Sequence, residues 1–447
     1  MTARFRRLAA VATALTGTLL AAACTSDKPA SGLTDTVTEQ HAPTTLELWT
    51  AWSGAELTAF KPLVAACEKK YPWMTVNLVP KEELEKVALA AITAGNPPDA
   101  MEYRDPGSLG QAAQQKLLQP LDEVASRDQI DWTQFVPAAE RLSTFGGKHY
   151  TIPYAFDVYG LFYDVDLLKE AGFDKPPTTL AEIDAINAKL TKRNADGSLA
   201  RVGFLPDYAG SYLSNYAALW GGDIYGADGK SAVFATGGKL QAFLEWEKSF
   251  YTTYTPQQLR TFKATFGEFD SAKNPWLAGK VAMAYDGEWL AAYPKRYDGG
   301  RKNWGVVPMP GPDGVATGEN VTPISGNGLA IPTGSKHAAE AWALIKCMAT
   351  DTTDLATFNG YVANISALKS AIALDPRRAD PQWKPFLDLA SSGRAVVLGS
   401  SAAGDVAADP LAAFEESYLN GKVADLPAGL TKVQTEVQGQ IDGSVGP

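Results

Sequence analysis

Short apolar runs alternate with amphipathic stretches from Thr45 onward, and this alternation constrains the fold more than any other feature. Thr45 to Thr50 reads as a strand. Ser53 then stands three residues before Glu56, the spacing of a capping box at a helix start. Leu57, Phe60, Val64, Cys67 and Tyr71 follow at three- and four-residue spacing, which makes one helical stripe, and Pro72 stops it. "MTVNLVP" reads as a second strand, "KEELEKVALAAITAG" as a helix closed by Gly95, and "PDAMEY" as a third strand. Strands alternating with helices predict a largely parallel sheet with helices on its faces. Such sheets take their ligands beyond the carboxyl ends of the strands. Trp52 and Ser53 lie at one such end, and "EYRDPG" at another.

The pattern resumes downstream. "YGLFYDVDLLKEAGF", "KVAMAYDGEWLAAYPKR" and "GNGLAIPTGSKHAAEAWALIKCMA" each read as a strand followed by a helix. A chain of 447 residues exceeds one ordinary core, so two lobes are expected. Residues 1–23 have a basic start, an apolar stretch and small residues before Cys24, which resembles a bacterial lipoprotein signal with Cys24 as the lipidated residue. Residues 24–43 lack apolar periodicity and read as a flexible tether. Cys67 and Cys347 fall on helical patterns far apart in sequence and read as buried free thiols. The three histidines form no metal motif, and no cofactor is expected.

Net charge is −10, which argues against nucleic acid as a partner. Removing residues 1–23 takes away Arg4, Arg6 and Arg7 and no acid, so the remainder is more acidic still. Catalytic motifs fail one by one. "GGDIYGADGKS" ends like a phosphate loop but has Ile224 where a Gly is required, and "GSSAAG" has Ala403 where an esterase elbow needs Gly. Asp105, Asp157, Asp286 and Glu288 could form paired carboxylates, but 50 acids make chance pairs easy. The 11 Trp and 17 Tyr suit ligands with both apolar faces and polar edges.

Six segments in order, "LELWTAWSGAELTAFKPLVAACEKKYP", "AAITAGNPPDAMEYRDPG", "IPYAFDVYGLFYDVDLLKEAGFDKPPTTLAEI", "GDIYGADGKSAVF", "AGKVAMAYDGEWL" and "GLAIPTGSKHAAEAWALIKCMA", resemble the extracellular solute-binding proteins of carbohydrate ABC importers. The resemblance implies an α/β, two-lobed periplasmic-binding-protein-like fold (type II) with a hinge and an interlobe cleft. Lobe one is expected at 44–153 and 278–322, and lobe two at 154–277 and 323–447. A monomer that binds a sugar, hands it to a permease and catalyses nothing is implied. It would be held by its lipid at the outer face of the cell membrane. Aromatic planes would cover the sugar's C–H faces, and carboxylates and Arg would bond its hydroxyls. Carried over position by position, the resemblance points to Trp52 and Ser53, and to Tyr103, Arg104 and Asp105, where Glu102 replaces the usual aromatic. It also points to Asp157, to Tyr208, Ser211 and Tyr212 after "VGFLPD", to Glu288 and the stacking Trp289, to Asn327 in "ISGNG", and to Asn364 in "NGYVANIS". Trp289 and Trp52 are expected on one edge of the same lobe. A non-sugar solute and a secreted carbohydrate-active enzyme are the alternatives.

Overall fold

The computed structural model describes residues 31–38, 41–208, 213–269, 271–297, 301–312, 322–392, 395–397 and 399–445; Cys24, Ser211 and Tyr212 lie outside them. Thirteen strands are described: β1 Thr44–Thr50, β2 Met74–Pro80, β3 Ala100–Tyr103, β4 Thr144–Phe145, β5 Lys148–His149, β6 Thr151–Asp164, β7 Lys192–Arg193, β8 Leu199–Phe204, β9 Val281–Gly287, β10 Trp304–Val307, β11 Thr322–Ala330, β12 Ile365–Ser366 and β13 Ala395–Val397. The main sheet runs β2-β1-β3-β11-β6-β9-β8-β7.

Strand β6 is the spine. Its first half pairs antiparallel with β11, from Thr151 opposite Ala330 to Val158 opposite Ile324. Its second half changes partner and pairs with β9, from Tyr159 opposite Gly287 to Tyr163 opposite Met283. β1 is parallel to β2 and β3, and β8 is parallel to β9, so two parallel cores are joined through one long antiparallel strand. Nearly every residue of β6 is buried, as a continuously apolar strand covered on both faces should be.

Local structure follows the periodicities. In the helix Gly54–Lys70, Phe60, Leu63, Val64 and Cys67 form the buried stripe. Ser53 occupies its N-cap position, but the expected capping box does not form there, because the Ser53 side chain makes no capping bond. Complete boxes stand instead at Thr179 with Glu182 and at Thr255 with Gln258.

Three expectations are corrected. Strands β9 and β10 pair with the second half of β6, whereas β11 pairs with β3 and the first half. Sheet membership in these two regions is therefore the reverse of the expected partition, in which 278–322 joined the N-terminal lobe and 323 onward left it. Trp52 and Trp289 accordingly follow strands of different halves. Second, Cys67 and Cys347 form a disulfide, with Cα atoms 5.9 Å apart. The helix Ala338–Thr350 returns to pack on Gly54–Lys70 and buries both sulfurs against one sheet half. Third, residues 31–38 are not a free tether: Leu33 and Val37 pack on the core.

Candidate functional site

The parallel strands β1 and β3 end on the same edge, and the antiparallel β11 and β6 bring Ser325 and Asp157 to it. β9 ends beside Tyr159, so Glu288 and Trp289 arrive at the point where β6 changes partners. Two buried carboxyl clusters form there.

The first is centred on Glu102, which has no exposed surface. Its carboxylate accepts hydrogen bonds from Thr50 Oγ1 at 2.8 Å, from the Ala51 amide at 2.9 Å and from the Tyr154 hydroxyl. Trp52 Nε1 donates to the same hydroxyl at 3.0 Å, and its ring meets Phe358 edge-on at 5.4 Å. The Arg104 guanidinium lies 4.5 Å from the centre of the Trp52 ring, with Nε 3.9 Å from Glu102. Trp52 is thus a buried platform that aims Arg104. Neither Trp49 nor Trp52 is exposed: Trp49 packs on the opposite face of the sheet, with Leu84 and Met101.

The second cluster joins the two halves. Asp157 on β6 accepts from Ser325 Oγ at 2.7 Å and from Asn364 Nδ2. Asn364 also reaches Glu288 Oε1 at 3.2 Å, and the Val158 amide donates to Glu288 Oε2 at 2.7 Å. Asn364 Nδ2 thus bridges the two carboxyls. Burial pushes both above the ordinary carboxyl range; the neighbouring Asp157 charge raises Glu288 further. Arg377 holds the Asn364 carbonyl at 2.6 Å.

Beside these clusters opens a cavity of about 220 Å³, lined among others by Arg104, Asp105, Ser214, Tyr225, Ser325 and Asp405. A second, of about 390 Å³, shares Pro106, Leu142, Tyr225 and Gly399 with it and adds Arg141, Phe145 and Asp223. The lining comes from segments on both sides of the spine. Tyr225 donates to Asp405 at 3.1 Å and accepts from the Ala407 amide at 2.9 Å. Burial, then the charge of Asp105, pushes the Asp405 carboxyl upward. The two sides touch at Gly110, whose amide donates to Ser400 Oγ at 2.8 Å. A Cβ on Gly110 would lie 2.4 Å from the Ser401 carbonyl, so only glycine permits the approach.

The expected site residues divide. Arg104 and Asp105 line the cavity; Asp157, Glu288 and Asn364 form the cluster beneath it. Trp289 is half-buried, edge-on to Tyr159 at 5.5 Å and folded over Gly287. Trp52 supports Arg104 from below, and Ser53 is exposed at its helix start. Tyr103 is buried with its hydroxyl 2.7 Å from Ser108 Oγ. Asn327 is buried behind the cavity, and its Nδ2 has no hydrogen-bond partner among the described residues. Tyr208 packs in the core, edge-on to Phe269 at 5.3 Å, and donates to Asn274 at 2.8 Å. The sequence reading missed Ser214, Tyr225, Ser325 and Asp405. Tyr225 stands within "GDIYGADGKSAVF"; Asp405, just past the rejected "GSSAAG", gave no local signal. Among the described residues no group of three or more His, Cys, Asp or Glu is placed to hold a metal.

Residues 51–354 match the model of the bacterial extracellular solute-binding protein family. The chain belongs to that family. This solute-binding protein is 25% identical over 312 residues to the maltodextrin-binding protein MdxE of Bacillus subtilis, covering 67% of this chain and 69% of the relative. Its fold is similar to that of CpMnBP1 solved with mannotriose bound (TM-score 0.76, 28% identity, 88% of this chain and 99% of that one). The cyclic alpha-maltosyl-1,6-maltose binding protein of Arthrobacter globiformis shares the fold at 19% identity (TM-score 0.72, 90% of this chain and 100% of that one). The two-lobed α/β architecture is the fold of these proteins, and the family binds solutes rather than transforming them.

Proposed function

We propose that this solute-binding protein captures an oligosaccharide between its lobes and passes it to the permease of an ABC importer. The observation that carries the reading is the pair of adjoining cavities, lined from both sides of β6 by Arg104, Asp105, Ser214, Tyr225, Ser325 and Asp405. Hydroxyls, carboxylates, a guanidinium and a phenol ring are the groups that bond sugar hydroxyls and cover C–H faces. Trp289, at the crossover, supplies a stacking face. The lobes follow the two sheet halves and close about β6 as a hinge. A mannose oligosaccharide is the first ligand class, supported by 28% identity over 88% of the chain to CpMnBP1 with mannotriose bound. A maltodextrin is the second, supported by the likeness to MdxE.

Calorimetric titration with mannobiose, mannotriose and maltotriose tests this. Saturable binding to one of them, with the sugar recovered unchanged, is expected; no binding to any of the three sinks the reading. The protein acts as a monomer anchored by a lipid on Cys24, outside the cell membrane. Mass spectrometry of the membrane fraction should find a diacylglyceryl group on an N-terminal Cys24, and a free Cys24 thiol counts against the anchor.

A further inference from the structure

The segment before β1 is docked, and it docks at the pole of the first sheet half farthest from the cleft. The Ser31 amide donates to the Lys336 carbonyl at 2.9 Å, and Ser31 forms a parallel bridge with His337. Arg127 Nη1 donates to the carbonyls of Thr34 and Asp35 at 3.1 and 3.0 Å. The ring of His41 lies 4.6 Å from that of Trp73, and its Nε2 lies 3.2 Å from Glu340 Oε1. Glu340 is only 2% exposed. Its carboxylate is met by Ser31 Oγ and His41, both from this segment, so lifting the segment would strip a buried carboxylate of these partners. All these contacts lie where β1 begins and β11 has ended, on the sheet edge opposite Arg104.

We propose that residues 31–38 and 41–43 act as a strap whose docking sets the length of the membrane leash. The proposal rests on the lipid at Cys24 and adds to it a switch in reach. With the strap down, the anchor is seven residues from Ser31, a span of at most roughly 25 Å. The cleft-distal pole is then held against the lipid surface. With the strap lifted, the free chain runs to Thr44, and the span rises to roughly 70 Å, enough to turn the cleft toward the membrane.

The test uses the full lipidated protein on phosphatidylglycerol-containing vesicles. Hydrogen exchange of the Ser31 and Asp35 amides is read by mass spectrometry. Energy transfer is read from a dye on Lys69→Cys to a labelled lipid headgroup. The Ser31→Ala, Arg127→Ala double variant lifts the strap, and Glu340→Gln weakens it by a second route. The proposal expects native exchange slowed about tenfold or more relative to the double variant, and lower energy transfer in both variants. Unslowed native exchange overturns it by removing the dock, and equal energy transfer in all three proteins overturns it by removing the change in reach. A chain found without lipid removes the anchor instead. That failure is separate because exchange protection is read independently of the membrane.

Discussion

Strands β1 and β9 both end in a turn followed by a tryptophan beside a carboxyl cluster, yet the two rings are used in opposite ways. Trp52 is 4% exposed, bonded through its indole to Tyr154 and capped by Arg104. Trp289 is half-buried and touches Tyr159 by an edge. The clusters beneath them differ in the same sense. Glu102 is met by a hydroxyl, an amide, a phenol and a guanidinium. Asp157 and Glu288 are bridged by Asn364, and burial raises both. One turn is scaffold built inside a sheet half, and the other sits on the seam between halves, where the proposed ligand site and hinge meet.

The sharpest way to break this contrast is Trp52→Ala. Removing a buried ring that also orients Arg104 should cost about 3–5 kcal/mol of stability, read by denaturant unfolding. A change within error would mean the ring is not scaffold. Next comes the disulfide, which ties the Trp52 half and has no counterpart described on the other side. Replacing Cys67 and Cys347 together by Ser should lower stability by roughly 2–5 kcal/mol, and thiol titration of the unfolded, unreduced protein should find neither sulfur free. Trp289→Ala should do the reverse of Trp52→Ala. Stability should barely move, while affinity for the bound oligosaccharide falls about ten- to hundredfold by calorimetry. Equal stability losses for the two tryptophan variants would erase the distinction.

The smallest effect lies in pH. The folded-state values of Asp157 and Glu288 are raised, so their contribution is fully present below the ordinary values of about 3.9 for Asp and about 4.3 for Glu and is lost as pH rises through the folded values. Glu288→Gln keeps a donor toward Asp157 without titrating. The difference between native and variant melting temperatures should therefore fall as pH rises above the ordinary carboxyl range, and a difference independent of pH would show that the folded-state value of Glu288 is not raised. Arg104, Ser325, Asn364 and Tyr159 face the same pair and remain unchanged in the comparison.

The sequence alone determined the local layer. The helical stripe through Phe60 and Cys67, the strands at Leu46, Val76 and Met101, and the turn after Tyr103 were all legible. They depend on periods of two or about 3.6 residues and on stop signals within a few positions. The motif order also pointed to the family, and with it to Arg104 and Asp105 at the cavity and Asp157 beside it. Only the tertiary structure decided who neighbours whom. Residues 281–307 and 322–350 exchange sheet halves relative to expectation because β6 changes partner at its middle, a choice made by contacts more than 100 residues apart that leaves no periodic trace. The same non-locality hid the Cys67–Cys347 bond across 280 residues and brought Asp405 to Tyr225. Burial of Tyr208, the docking of Ser31 on Lys336 and the fate of each tryptophan were decided in the same way. A side chain's type states what it can bond, and only the packed chain determines which partner excludes water from it.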